Sequence, residues 1–192
     1  MQVFSTVKMC VLLFGWGVVA LPAWAQEEQA CRSNVQVATP DSDFIVDEDG
    51  TATHLPTGLM WMRCALGQDW NGETCIGEAM GMNWPQALQA AKDHDFAEYT
   101  DWRLPNYKEL DSIQELACFY PSINLTVFPN TPASNLTVSP DNAPSQFWSS
   151  STFSFSSGGM RILVINFSNS QVNLNRQSEP NRVRLVRGGV QP

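Results

Sequence analysis

Histidine is nearly absent from this chain: His54 and His94 are the only two in 192 residues. Neither lies in an H-E-x-x-H motif, and no G-x-S-x-G turn occurs. Ser149-Ser150-Ser151 has no identifiable base beside it. These gaps remove the common zinc-peptidase and hydrolase patterns and leave a non-enzymatic reading, with no cofactor and no metal. Basic charge is also scarce, 11 Lys and Arg against 19 Asp and Glu, which argues against a nucleic-acid partner. Long apolar runs are few. Met9–Leu21 is too short for a stable bilayer anchor, and no later run approaches membrane length. C-x2-C pairs, internal repeats and heptads are missing as well, so the cysteines do not read as a zinc site.

What is present begins with a targeting segment. Lys8 precedes the Met9–Leu21 run, and Ala23-Trp24-Ala25 supplies small residues where a signal peptidase cuts. Residues 1–25 are therefore expected to be a signal peptide, with a retained anchor as the alternative. Residues 26–43 read as an N-terminal arm and 44–192 as a single domain. Export implies a periplasmic or extracellular location, and no membrane span after processing.

Four cysteines remain after cleavage: Cys31, Cys64, Cys75 and Cys118. An even count in an exported chain reads as two disulfides, with three possible pairings. The favoured one is Cys64–Cys75, closing a short loop, with Cys31–Cys118 pinning the arm onto a helix. Charge is uneven along the chain. Residues 26–141 hold 18 acids and 5 bases, while residues 142–192 hold 1 acid and 5 bases. The C-terminal arginines either pair with acids of the first part or form a local anion-binding face.

The periodicity places strands at Phe44–Val46, Thr51–Thr53 and Leu59–Met62, with a hairpin turn at Asp49-Gly50. Asp47, Glu48 and Asp49 lack the ligand spacing of a calcium loop and read as a solvated tip. Residues 67–81 read as a loop. A helix starts at Asn83, where Gln86 completes a capping box, and runs to about His94. Its apolar stripe is Trp84, Ala87, Leu88 and Ala91. A second starts at Asn106 with Glu109 in the same role, and its stripe runs through Leu110, Ile113, Leu116 and Ala117 until Pro121. Residues 124–145 read as a long irregular loop. Strands follow at Trp148–Thr152, Arg161–Phe167 (central), Gln171–Leu174 and Arg182–Val186. Helices first and antiparallel strands last argue for an α+β domain. A free edge at Gln171–Leu174 would make a homo-oligomer possible.

The motifs Thr57-Gly58-Leu59-Met60-Trp61, Asp101 to Leu110, Phe147-Trp148-Ser149-Ser150-Ser151 and Val183-Arg184-Leu185-Val186-Arg187 occur in a consistent order. Together they resemble the bacterial domain of unknown function 1566 family, the C-terminal domain of a Legionella collagen-like adhesin. His54 departs from the family's usual acid. Trp84…Ala87 followed by Arg103-Leu104-Pro105 and Glu109 is similar to C-type-lectin-like domains and to sulfatase-modifying enzymes. That resemblance implies two helices packed on a small, mainly antiparallel sheet with long loops and termini paired side by side, and it leaves an enzyme related to the sulfatase-modifying folds as the last alternative.

Physics gives the Asp101-Trp102-Arg103-Leu104-Pro105 segment a structural role. Trp102 and Leu104 point to the core, and Arg103 seeks Asp101 or Glu109. Trp61, Trp84 and Trp148 read as core. Trp70, in the loop beside Asn71-Gly72, is the candidate sugar-stacking surface. Arg161, Arg176, Arg182 and Arg184 are the candidate anion-binding residues. The expected partner is a glycan, an envelope or extracellular polymer as the adhesin resemblance implies, or a protein of the envelope. Three Asn-x-Ser/Thr sites stand at Asn124, Asn135 and Asn166.

Overall fold

The structure is a computed structural model that describes residues 29–133, 145–156 and 158–188. The expected signal peptide, the middle of the long loop and Asn135 lie outside the described residues. Strands β1 (Ala30–Cys31), β2 (Phe44–Val46), β3 (Thr51–His54), β4 (Leu59–Met62), β5 (Asp69–Trp70) and β6 (Cys75–Ile76) precede helix α1 (Trp84–Lys92). Helix α2 (Tyr107–Asp111), β7 (Cys118–Phe119), β8 (Gln146–Ser154), β9 (Met160–Asn166), β10 (Gln171–Asn175) and β11 (Val186–Gly188) follow. Every paired strand is antiparallel. The sheets are small: β11-β4-β3-β2, β10-β9-β8, and the pairs β1-β7 and β5-β6.

Neighbouring residues in a strand face opposite ways, and the chain uses this to serve two cores at once. Trp61, Phe147 and Val186 enter a cluster with Phe44, Phe128 and Phe167. Their neighbours Met62, Trp148 and Leu185 enter a second cluster with Trp102, Leu104 and Ala87. The two sheets are thereby tied through shared apolar layers. Phe147 also bridges Arg182, which joins the β8 edge to the segment leading into β11.

Both helix starts form as their sequences predict. Asn83 accepts from the Gln86 backbone, and Gln86 reaches back to the Asn83 N–H at 3.0 Å. Asn106 and Glu109 repeat the arrangement. Helix α1 ends at Lys92, slightly early, and its Leu88 is exposed rather than core.

Helix α2 is a larger correction. It ends at Asp111, so Leu116 is not on a buried stripe and is 59 % exposed. Local side-chain bonds replace the helical ladder. Ser112 Oγ donates to Glu109 O at 2.7 Å, and Gln114 Nε2 donates to Asp111 Oδ1 at 2.6 Å. The Glu115 carboxylate then takes the backbone N–H groups of Ala38, Thr39 and Ala117. Such local bonds compete with helix formation.

Both favoured disulfides are present, Cys31–Cys118 and Cys64–Cys75. The first pins the arm onto strand β7, not onto a helix. β1 of the arm pairs with β7, and the last strand, β11, pairs with β4 in the sheet that also holds β3 and β2. Residues 67–81 are more ordered than a loop, because β5 and β6 make a small hairpin. Residues 182–185 run into β11 without joining a regular strand, and β11 belongs to the sheet of β4. β9 is central as expected, and β10 is an edge of its sheet.

Glu115 anchors the arm and sets a pH response. Burial pushes its carboxyl up, but the backbone N–H bonds from Ala38, Thr39 and Ala117 outweigh this and hold it below its ordinary value of 4.5. A depressed carboxyl contributes stability above the unfolded value, and that contribution is lost as pH falls through the folded one. Glu115→Gln is therefore expected to lower stability at neutral pH and to flatten the acid limb below about pH 4.5. Urea midpoints measured from pH 7 to pH 3 check this. Parallel curves for parent and variant would remove Glu115 from the acid response.

Two of the Asn-x-Ser/Thr asparagines are occupied in the fold. Asn124 Nδ2 donates to Thr39 O and to Asp41 Oδ1. Asn166 is fully buried in β9, with its Oδ1 accepting from the Ser168 backbone.

Candidate functional site

The Asp101–Glu109 motif builds structure. Arg103 and Val186 exchange backbone hydrogen bonds at 2.9 and 3.0 Å. The Arg103 fork meets the Glu109 carboxylate through two bonds of 2.7 Å, and its Nη2 also reaches Gly188 O. Glu109 thus caps α2 and receives Arg103 together. Burial pushes the Glu109 carboxyl up, but the Arg103 and Asn106 bonds hold it low. Asp101 pairs with Arg187 at 2.7 Å, and the Arg187 guanidinium lies 3.7 Å over the Tyr99 ring. Trp102 and Leu104 are buried as expected, and Trp148 Nε1 donates to Met82 O. His54 Nδ1 forms a hydrogen bond of 2.9 Å with Thr57 Oγ1. At the β2–β3 tip, Asp49 Oδ1 and Asp47 Oδ2 are spent on Thr51.

The candidate ligand residues do not form one face. Arg184 is fully buried, which contradicts a role in an exposed arginine patch. Its Nη1 donates to Met62 O and Arg63 O, its Nη2 donates to Thr131 Oγ1 at 2.7 Å, and Phe128 packs beneath it at 4.8 Å. Burial pushes its pKa down to about 9. Its partners are neutral oxygens, so the charge is held by carbonyl dipoles and ring faces. Arg161 stands opposite Phe153 in the β8–β9 pairing and is half-buried. Arg176 is exposed in the turn after β10.

Trp70 is likewise no bare stacking platform. Its Nε1 donates to Glu48 O at 2.8 Å, and the Arg63 guanidinium sits 4.0 Å over the ring. Gly50 lies so close that an added Cβ would come within 2.7 Å of Trp70 Cγ. The indole braces the β5–β6 hairpin against the β2–β3 turn.

Arg182 is different. It lines a cleft of about 520 Å³ with Gln68, Cys75, Ile76, Glu78, Asn130 and Pro132, within the usual range for small-ligand sites. The Cys64–Cys75 bond and two amides hold the walls. Gln68 Nε2 donates to Asn130 O at 3.0 Å, and Asn130 Nδ2 donates to Cys75 O at 2.7 Å. Asn130 has φ 51°, a left-handed conformation that asparagine tolerates better than most residues. Arg182 is fixed by its backbone, which donates to Gln146 O and accepts from Trp148 N. Its side chain lies over Gly81, where an added Cβ would come within 2.8 Å of Nη1.

Among the described residues, the Arg182 side chain has no hydrogen-bond or ion-pair partner, and its Nε is buried unpaired. Burial pushes its pKa down, and the nearby Glu78 charge pushes it back up. Ile76 adds 47 % exposed apolar surface to the same cleft. A second cleft of about 400 Å³ lies between the arm and residues 115–126. Its main polar groups, Glu115 and Asn124, are already engaged. No group of three or more metal-ligating side chains occurs among the described residues.

Sequence reasoning selects Arg182 but misses Ile76, Glu78 and Asn130. They come from distant segments joined by the disulfide hairpin and by the Gln68–Asn130 and Asn130–Cys75 bonds. A cysteine-flanked loop rich in polar residues is the one signal that pointed there.

The model of the Lcl C-terminal domain matches residues 50–187. The chain belongs to this family. The match runs from Gly50 in the β2–β3 turn to Arg187 in β11 and so includes the cleft, α1, α2, the β10-β9-β8 sheet and all of the four-stranded sheet but β2 and the end of β11. The arm with Cys31 precedes it. The family is adhesin-associated. No curated protein matches the chain. Two disulfides fit an oxidising compartment, and no helix among the described residues is long and apolar enough to cross a membrane.

Proposed function

We propose that the chain is an exported, non-catalytic binding module that recognises a glycan or an envelope or extracellular polymer. The observation that carries this reading is the Arg182 cleft: an unpaired guanidinium, an acid and an exposed aliphatic wall on a disulfide-braced frame. Apolar surface for a sugar's C–H face beside a few fixed polar groups is the usual make-up of such sites. Family membership supports an adhesive role. The likeness to domain of unknown function 1566 and to C-type-lectin-like domains belongs to the same proposal, supported by two helices on small antiparallel sheets. The non-catalytic reading is supported by cysteines used in disulfides and by the serines of the 149–151 run. Ser149 Oγ donates to Leu163 O, and Ser151 Oγ accepts from Tyr107 N.

A glycan array probed with the disulfide-bonded protein, at two salt concentrations and with or without calcium, tests the reading. Reproducible binding that is weakened by Arg182→Gln is the expected result. Absence of binding under every condition would remove the glycan reading.

A second reading, a protein-interaction domain of the envelope, draws on the β10 edge of the β8–β9–β10 sheet. Val172 and Leu174 on β10, and Phe153 on β8, stay exposed. An uncharged edge of this kind lacks the usual guards against strand addition.

A further inference from the structure

We propose that the Arg182 cleft selects a sugar carrying one isolated carboxylate flanked by hydroxyls, and rejects polysulfated chains. The inference rests on the glycan-binding reading and narrows it to a ligand class.

Its first support is the solitary cation. Among the described residues, Arg182 is the only arginine or lysine lining the cleft. The other arginines of the last third do not extend it: Arg184 is buried, Arg187 is paired with Asp101, and neither Arg161 nor Arg176 lines it. A polysulfated chain gains affinity by meeting several cations in a row. Here it would meet one.

The second support is the acid beside it. Glu78 lines the same cleft yet makes no ion pair with Arg182. Two opposite charges that face one space without closing on each other suit a ligand that offers an acceptor to one and a donor to the other. A carboxylate matches the planar arginine fork, and a neighbouring hydroxyl can donate to Glu78. A second anionic group would sit within a Debye length of Glu78, where repulsion is poorly screened. The net charge of −8 adds to that penalty.

The third support is the shape of the seat. Gly81 leaves room for the guanidinium, whose Nη1 points at it, and any side chain there would displace Nη1. Ile76 supplies the apolar wall against which a pyranose ring packs. The frame is cross-linked at Cys75, so the geometry is formed before the ligand arrives.

The test is a titration followed by amide chemical shifts, with three probes: methyl glucuronide, its neutral counterpart methyl glucoside, and dextran sulfate. Glucuronide is expected to bind at least tenfold more tightly than glucoside, with shifts centred on residues 76–81, Asn130 and Arg182. Dextran sulfate is expected to leave those amides unmoved. Arg182→Gln should abolish the preference for glucuronide. Glu78→Gln alters an exposed side chain and keeps the core intact. It should weaken glucuronide binding and raise affinity for dextran sulfate by severalfold.

Equal affinity for glucuronide and glucoside at the cleft would overturn the charge selection and leave the glycan reading standing. Tighter binding of dextran sulfate in the parent would overturn the rejection of polyanions. Shifts elsewhere on the surface would remove the cleft as the site. Silence of all three probes, together with an unresponsive glycan array, would remove the glycan reading itself. Silence here with array binding elsewhere would overturn only this assignment.

Discussion

Removing the Cys31–Cys118 cross-link is expected to cost about 4–5 kcal/mol, more than any other covalent change in the chain. The reason is the span that it closes. These cysteines are 87 residues apart, whereas Cys64 and Cys75 are 11 apart. On the loop-closure account, the shorter loop restricts the unfolded chain by only about 3 kcal/mol. The native contacts of the arm add to the difference. Gln29 Nε2 donates to Pro121 O and Ile123 O, and Ala38 and Thr39 donate to Glu115. With the bond cut, ordering the arm through these contacts must offset its full chain entropy. Urea unfolding of the two paired Cys→Ala variants measures the difference. Equal losses would mean that the unfolded chain retains contacts between the arm and β7, and the entropic account would fail. The cleft should respond in the opposite order: the Cys64/Cys75 variant, though less destabilised, is expected to lose ligand binding first.

Arg184→Ala is expected to cost about 3–5 kcal/mol. Three terms act in the same direction. The substitution leaves a cavity beside Phe128 and Phe147. It leaves Met62 O, Arg63 O and Thr131 Oγ1 without this donor. It also frees Thr131, one end of the 126–131 segment, from a clamp. Arg63 holds the other end, donating to Val127 O at 2.9 Å and to Thr126 O at 3.0 Å. One term opposes them. Arg184 carries a charge in the core with no carboxylate beside it, and removing it relieves that burial.

Arg184→Met isolates the balance, since it fills the space and discards the charge. Its expected cost is about 1–2 kcal/mol, mostly from unmet acceptors. Stability from urea midpoints, with amide exchange at Thr126–Thr131, reads both variants. A change under about 1 kcal/mol for Arg184→Ala would show that the buried charge cancels its own hydrogen bonds.

The parts of the fold that were legible in the sequence are those decided locally. Asn83 with Gln86 and Asn106 with Glu109 start helices because each pair satisfies orphan N–H groups within four residues. Arg161–Phe167 reads as a central strand because Ile162, Leu163, Val164 and Ile165 form an apolar, mostly β-branched run. The end of α2 was not legible. Ile113, Leu116 and Ala117 keep helical spacing, but Glu115 is claimed by an arm more than 70 residues away in sequence. No local pattern announces that contact.

The two arginines at 182 and 184 show the same limit at the candidate site. A spacing of two would place them on one face of a strand. Regular pairing begins only at Val186, and before it the chain sends Arg182 to the cleft and Arg184 to the core. Composition alone cannot separate them, because the walls that distinguish their surroundings come from residues 62–81 and 128–132.

The burial of Asn166 decides where this chain can be made. Asn166-Phe167-Ser168 is an acceptor for N-linked sugar, and its amide sits inside the sheet with no solvent beside it. In a eukaryotic secretory pathway the emerging chain would meet a race at this residue. If β9 closes first, the asparagine is out of reach. If the transferase arrives first, the bulky oligosaccharide cannot enter the core, and that copy is committed to quality control. A bacterial export route without such a transferase removes the race, and every copy can take the same path to the native state.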